Sequence, residues 1–290
     1  MTLPLTIRNV EKSIDDFKLK INELSFEEGT ITAVIGTNGA GKSTFFKMMM
    51  NLVKQDSGDI DVFGKSVNGE DESWKQLVAY QAQTLIGCDP FTGEQLRKLM
   101  AELYPSWDEQ LFRRFCEKLR IPLNKKVHKL SPGVRTKLNL ALNIGKNTSL
   151  LILDEPTAAM DIPSRNDFLQ FLLELMESGD KTILIASHQA DDIKKLADYL
   201  VFIQNGEVTK MLEKDSLIFS YRLFWLKEEP PVSRIPGEIK RTYKKVILSN
   251  QPDKTLDYLT THNLAIADEQ IPTLEDIIHE VLMEGEMINV

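Results

Sequence analysis

Cys88 and Cys116 are the two cysteines in 290 residues. No metal-ligand spacing connects them, and two thiols make no disulfide framework in a chain this long, so both read as reduced structural residues. Long apolar runs are missing as well: none approaches the ~18–20 residues needed to cross a bilayer. Met1 to Val10 lacks a basic start followed by an apolar signal core, so a cytosolic location is expected. Basic charge is in deficit, with 35 Lys and Arg against 43 Asp and Glu, a net charge of -8 and a pI near 5.2. A nucleic-acid partner requires a basic footprint, and none is expected beyond a local patch. The remaining balance, 42% hydrophobic and 27% charged, is that of a globular protein with length for one large domain and a small one.

What is present begins at residues 36 to 43, which read Gly-Thr-Asn-Gly-Ala-Gly-Lys-Ser, a complete G-x-x-x-x-G-K-S loop. The apolar run Ile31 to Ile35 precedes it and the helical stretch Thr44 to Leu52 follows, the strand-loop-helix setting that the motif requires. Such a loop binds a nucleoside triphosphate. Gly36, Asn38, Gly39, Ala40 and Gly41 curl backbone N–H groups around the β- and γ-phosphates, and Thr44 continues the helix whose N-terminus faces them. Lys42 reaches the γ-phosphate and the Ser43 hydroxyl ligates Mg²⁺. ATP and Mg²⁺ are therefore the expected ligands.

Further short apolar runs at Leu150 to Leu153, Thr182 to Ala186 and Tyr199 to Ile203 have the length of buried strands and predict a largely parallel sheet. Helical patterns lie between them, over Gly93 to Tyr104, Asp108 to Leu119, Pro132 to Gly145, Pro163 to Glu177 and Ala190 to Ala197. An α/β nucleotide-binding core follows. Asn205-Gly206, between Leu200-Val201-Phe202-Ile203 and Val208-Thr209-Lys210-Met211, predicts a closing hairpin. Pro230-Pro231 and Pro236-Gly237 then break the chain, with a strand expected over Tyr243 to Leu248 and helices over Thr255 to Thr261 and Leu274 to Met283. Residues 1–212 are expected as the nucleotide-binding domain and 213–290 as a small αβ appendage.

The run Leu150 to Leu153 ends in Asp154-Glu155, two carboxylates at the carboxyl edge of the sheet, where ligands of open α/β folds collect. Asp154 suits the metal's shell, and Glu155, pointing elsewhere, suits the attacking water. Asp191, Asp192, Lys194 and Lys195 read as a solvated helix face.

Between the loop and Asp154 lies Leu130-Ser131-Pro132-Gly133-Val134, which resembles the signature sequence of the ATP-binding cassette (ABC) family, usually Leu-Ser-Gly-Gly-Gln. The order of motifs also matches. Gln83 corresponds to the family's Q-loop glutamine, a catalytic and metal-binding position, Asp161 to its D-loop aspartate and His188 to its catalytic switch histidine. The resemblance implies a P-loop hydrolase core with an antiparallel β subdomain, a helical signature subdomain at about residues 84–146, and a two-fold dimer that sandwiches two ATP molecules. In that dimer Ser131 and Gly133 address the ATP of the opposite cassette. On its own reading the segment is a helix start, Ser131 at the N-cap and Pro132 in the first turn, with Val134, Leu138, Ala141 and Leu142 as an apolar stripe.

The sequence departs from the family in three places. Pro132 has no N–H to donate and Val134 lacks the side-chain hydrogen bonds of the usual Gln. Ala158-Ala159-Met160 replaces the Ser-Gly-Leu common before Asp161. For the aromatic residue that stacks on adenine, Phe17 is the candidate near the expected place, and it reads equally as the apolar residue that opens a strand Phe17 to Ile21.

The insert between Lys42 and Ser131 is compact, without the long heptad run of chromosome-maintenance ATPases, and only one cassette is present. Tyr104-Pro105-Ser106-Trp107-Asp108 and Leu123-Asn124-Lys125-Lys126 are similar to exporter ATPases of the bacitracin-resistance and acetoin-utilisation type, whose relatives export phenol-soluble modulins. The resemblance implies an ATPase at the cytoplasmic face of the membrane, powering a separate permease that docks beside Gln83 and the segment Thr84 to Phe91. The cargo it implies is a peptide, antibiotic or lipophilic compound, and the second cassette is identical or different. The alternatives are a soluble ABC-type ATPase that regulates a protein or nucleic-acid partner without a pore, and a nonhydrolysing nucleotide sensor.

Overall fold

The computed structural model describes residues 2–84, 86–209 and 211–287. The chain divides into two compact units, Met1–Met211 and Leu212–Val290. Strands of the first unit are β1 (Leu5–Ile14), β2 (Phe17–Phe26), β3 (Ile31–Ile35), β4 (Ser57–Val62), β5 (Lys65–Ser66), β6 (Val78–Gln81), β7 (Leu150–Asp154), β8 (Thr182–Ala186), β9 (Tyr199–Gln204) and β10 (Glu207–Val208). Its helices are α1 (Lys42–Met49), α2 (Gly93–Leu103), α3 (Glu109–Lys118), α4 (Pro132–Gly145), α5 (Ile162–Met176) and α6 (Ala190–Leu196).

Neighbouring strands follow the order β5-β4-β1-β2-β10-β9-β3-β8-β7-β6. The run β9-β3-β8-β7-β6 is parallel throughout. In β3, β7 and β8 every residue is buried, as strands covered on both faces must be, which is why their sequences are continuous apolar runs without alternation. The arm β5-β4-β1-β2 is antiparallel. Its strands alternate only in stretches: Leu19 and Ile21 of β2 are turned inward, then Leu24 and Phe26, with the period slipping between Ile21 and Leu24. In β1 the same period is broken: Leu5 and Ile7 are buried and then Val10, because Asn9 takes a φ of 51° and the pairing with β4 shifts register between Arg8 and Glu11. That bulge hides β1 from a search for strict alternation.

The two parts of the sheet meet at the Asn205-Gly206 hairpin. Asn205 and Gly206 have φ of 48° and 78°, the left-handed pair that a tight two-residue hairpin demands, and β10 pairs antiparallel with β9 and parallel with β2. The ribbon is shorter than Val208 to Met211, and Lys210 of that predicted run lies outside the described residues. A Cβ on Gly206 would lie 1.7 Å from the Lys18 carbonyl oxygen. Gly206→Ala is therefore expected to destabilise the first unit by about 2 kcal/mol or more, lowering its melting temperature by about 5 °C. Scanning calorimetry checks this, and an unchanged transition would contradict the close approach.

Helix α1 starts two residues earlier than predicted, so Lys42 and Ser43 are already helical, and it stops at Met49, after which Asn51 turns left-handed with φ 52°. Its Phe45, Phe46, Met48 and Met49 are fully buried in the core beneath the sheet. Helices α2 and α3 are joined by a ring of charges in which Arg97 and Arg113 each contact both Glu94 and Glu109 at 2.7–3.1 Å. The Tyr104 to Asp108 turn closes on the end of α4: Ser106 Oγ donates to the Lys146 carbonyl at 2.6 Å, and Asp108 caps α3. Helix α4 spans the predicted residues, but the expected stripe is too narrow, because every residue from Lys137 to Gly145 is buried.

The second unit contains β11 (Leu212–Glu213), α7 (Lys214–Phe219), β12 (Arg222–Leu226), β13 (Glu238–Thr242), β14 (Val246–Ser249), α8 (Pro252–Thr261), β15 (Ile266–Gln270) and α9 (Leu274–Met287). Strands in the order β13-β14-β12-β15 form an antiparallel sheet. Successive residues of β14 face opposite sides, Ile247 clustering with Leu259 of α8 and Leu248 with Ile277 of α9, so each face of the sheet has its own apolar cluster. The predicted strand Tyr243 to Leu248 begins at Val246 instead. Tyr243 and Lys244 have φ of 50° and 61° and form the turn from β13. A reciprocal cap between Thr273 and Asp276 starts α9.

Candidate functional site

The strand order sets the site. Because β3, β8, β7 and β6 lie side by side and parallel, the residues that follow their carboxyl ends converge: the 36–43 loop after β3, His188 after β8, Asp154 and Glu155 at the end of β7, and Gln83 after β6. A cleft of about 200 Å³ forms there, lined by Asn38, Gly39, Gly41, Lys42, Ser43, Thr44, Gln83, Glu155 and His188. Gly36 and Ala40 are buried behind it.

Lys42 is 7% exposed, and its ammonium donates to the carbonyls of Gly36 at 2.8 Å and Thr37 at 3.2 Å, folding the side chain back over the loop. Burial pushes its pKa below the usual amine value, and the carboxylates of Glu155 and Asp154 oppose that shift. Gly41 has φ 107°, and a Cβ there would sit 2.6 Å from Phe17 Cζ. The Phe17 ring thus borders the loop, and the residue opens β2 as the strand reading expects.

Asp154 is 2% exposed, and its Oδ1 lies 3.4 Å from Gln83 Nε2. Glu155 takes φ 52°, a conformation disfavoured for a side chain of its size, with its N–H donating to the Ala186 carbonyl at 3.1 Å. This reversal turns Glu155 away from Asp154 into the cleft. Burial raises the Glu155 pKa above the usual carboxylate value; Lys42 pulls it down, Asp154 pushes it up, and the His188 backbone N–H lowers it. Nε2 of His188 lies 2.8 Å from Glu155 Oε1, but the approach lacks hydrogen-bond alignment, and Oε1 has no donor among the described residues. Burial and then Lys42 lower the His188 pKa, against Asp154, so at neutral pH this is a contact between a neutral ring and a carboxyl group.

Ser131, Gly133 and Asp161 stand apart from that cleft, in a second cluster. Ser131 caps α4, its Oγ accepting from the Val134 N–H at 3.4 Å, and Asp161 caps α5 through the Ser164 N–H at 2.8 Å. A Cβ on Gly133 would meet the Ala159 carbonyl oxygen at 2.4 Å, and Lys137, one turn further, donates to Ser164 Oγ at 3.1 Å. The start of α4 therefore rests on the loop that carries Asp161.

The expected solvated face of α6 is wrong for one residue. Asp192 is 1% exposed and accepts hydrogen bonds from Thr157 Oγ1 at 2.9 Å and Arg165 Nε at 2.7 Å. It ties the segment after Glu155, through α5, to the helix that follows His188. The signal was available, since Asp192 shares an apolar face with Ile193 and Leu196, both buried. Asp191 and Lys195 are exposed as expected.

An ABC transporter family model matches residues 19–158. The chain is 28% identical over 272 residues to the ABC transporter ATP-binding protein YtrB of Bacillus subtilis, covering 93% of this chain and 82% of that one. It is 33% identical over 211 residues to the Nod factor export ATP-binding protein I of Burkholderia orbicola, covering 70% and 68% of the two chains. Among solved structures, an ATP-binding subunit of an ABC transporter superposes with a TM-score of 0.66 at 24% identity, over 74% of this chain and 92% of that one. A dimeric post-hydrolysis ATP-binding cassette bound to ADP and Pi gives 0.63 at 18%, over 72% and 98%. Fold, motif order and sequence identity agree: this chain belongs to the ABC transporter family, as an ATP-binding subunit.

Proposed function

We propose that this chain is a Mg²⁺-dependent ATPase that powers a separate membrane permease, paired with a second cassette and held through the permease at the cytoplasmic face of the membrane. One observation carries the reading: the phosphate loop, Glu155, Gln83 and His188 line a single cleft, with Asp154 buried beside it against Gln83. Relatives named for export and for linearmycin resistance support an exporter of a peptide, antibiotic or lipophilic compound. No helix among the described residues is long and apolar enough to cross a membrane, which agrees with a pore on another chain.

The donor set fits Mg²⁺. Ser43, Asp154 and Gln83 offer hard oxygens, and among the described residues the Asp154 carboxylate oxygen Oδ1 is engaged only by the long contact from Gln83. When bound, the cation neutralises charge on the phosphate oxygens. Lys42 binds the γ-phosphate by leaving its two loop carbonyls. Glu155 orients the attacking water and takes its proton, a task suited to a carboxyl group whose pKa burial has raised. His188 borders the same water position. Phe17, at the rim of the loop, stacks on adenine. Ser131 and Gly133 serve the ATP of the opposite cassette, with Asp161 between the two sites. Residues 1–212 act as the cassette and 213–290 as an accessory appendage. Permease docking falls beside Gln83 on the segment Thr84 to Phe91, of which Leu85 lies outside the described residues. The acidic charge balance argues against a nucleic-acid partner.

The test is affinity purification of tagged Glu155→Gln protein from detergent-solubilised membranes of the source organism with Mg-ATP present. A stoichiometric polytopic membrane protein is expected. Soluble partners alone would overturn the permease reading in favour of a regulatory ATPase.

A further inference from the structure

Helix α4 carries two asparagines where its surroundings would take apolar side chains. Asn139 is 7% and Asn143 4% exposed, one turn apart on one face. Burying such amides is costly unless they are hydrogen-bonded. Nδ2 of Asn139 donates to the Ala82 carbonyl at 3.0 Å, and its Oδ1 accepts from Asn143 Nδ2 at 3.0 Å. Asn143 Oδ1 in turn accepts from Lys146 Nζ at 2.9 Å.

The ladder has a fixed sense. An ammonium can only donate, so Lys146 sets the orientation of Asn143, Asn143 sets that of Asn139, and the Asn139 amide presents its NH₂ to Ala82. A flipped Asn139 would face one carbonyl with another. Ala82 immediately precedes Gln83, whose Nε2 approaches Asp154. The Ala82 oxygen also accepts from Gln81 Nε2 at 2.7 Å, but Gln81 is its chain neighbour and moves with it. Among the described residues, the bond from Asn139 is the one that ties this carbonyl to another element.

We propose that Asn139 is a positioning residue for ATP hydrolysis: its amide pins the Ala82 carbonyl to α4 and thereby holds Gln83 within reach of Asp154. This rests on the proposed roles of Gln83 and Asp154. A merely packed residue would affect stability, whereas a positioning residue acts through Gln83, and a double-mutant cycle separates the two.

The experiment uses the full-length chain as wild type, Asn139→Ala, Gln83→Ala and the double variant, together with Asn139→Asp, which keeps the side-chain shape and the acceptor for Asn143 but cannot donate to Ala82. ATP turnover is one readout. Amide hydrogen exchange of residues 82–84 without nucleotide is the other. Asn139→Ala and Asn139→Asp are each expected to lower kcat about tenfold with KM for ATP within about twofold, and to speed exchange of 82–84 about tenfold. In the Gln83→Ala background, Asn139→Ala should change kcat by less than about twofold. Equal losses in both backgrounds, unchanged exchange, or an Asn139→Asp variant with wild-type kcat would each overturn the inference while leaving the ATPase reading intact. A Gln83→Ala variant with wild-type kcat would overturn the Gln83 assignment and the positioning role with it. If Asn139→Ala fails to fold, Asn139→Asp carries the same comparison.

Discussion

Glu155→Gln is expected to bind ATP as the wild type does and to release phosphate about 10²–10³-fold more slowly, the range for loss of a general base. The amide has the volume of the carboxylate and can still accept the His188 backbone N–H, so the turn at φ 52° is preserved. What it cannot do is take a proton. Lys42 keeps the second of its two opposing carboxylates, Asp154, so the ammonium is retained for the phosphates. Phosphate release at saturating Mg-ATP, measured beside equilibrium binding of a fluorescent ATP analogue, checks both halves. Turnover at the wild-type rate would remove Glu155 from the chemistry, and lost binding would make it a structural residue.

The phosphate loop and Asp154 were legible because each follows a continuous apolar strand, and a parallel sheet buried on both faces leaves that signature directly in the residues. Gln83 and His188 carry no such local signal. Only the order of motifs shared with a known family singled them out, and the parallel order β3-β8-β7-β6 explains why residues so distant in sequence share one cleft. In the sequence Asp192 reads as solvated and Asn139 is not singled out, because each is a polar residue on the buried side of a helix, where its partners, Thr157 and Arg165 for one and Ala82 for the other, come from remote segments. The second unit was legible mainly as helices. Its edge strands β13 and β15 read Glu-Ile-Lys-Arg-Thr and Ile-Ala-Asp-Glu-Gln, and edges that must resist pairing with other chains tolerate charge at the cost of a clear apolar pattern.

Lys42→Ala is expected to weaken ATP binding by about 10²–10³-fold, the loss that follows when one member of a buried charge set is removed. Three effects act together. The γ-phosphate loses its ammonium partner, the carbonyls of Gly36 and Thr37 lose a donor, and the carboxylates of Asp154 and Glu155 face the anionic ligand with one cation fewer between them. With Lys42 gone, the Glu155 pKa should also rise further, since Lys42 is the charge that holds it down. Isothermal titration with Mg-ATP reads the affinity, and circular dichroism shows whether the loop's altered hydrogen bonding disturbs the fold. Unchanged affinity would contradict the assignment of the loop. Compared with Glu155→Gln the outcomes are complementary: one variant should lose the ligand, the other should hold it without turning it over. That separation is expected because Lys42 and Glu155 reach the cleft from different strand ends, β3 and β7, and one can be removed while the other keeps its backbone support.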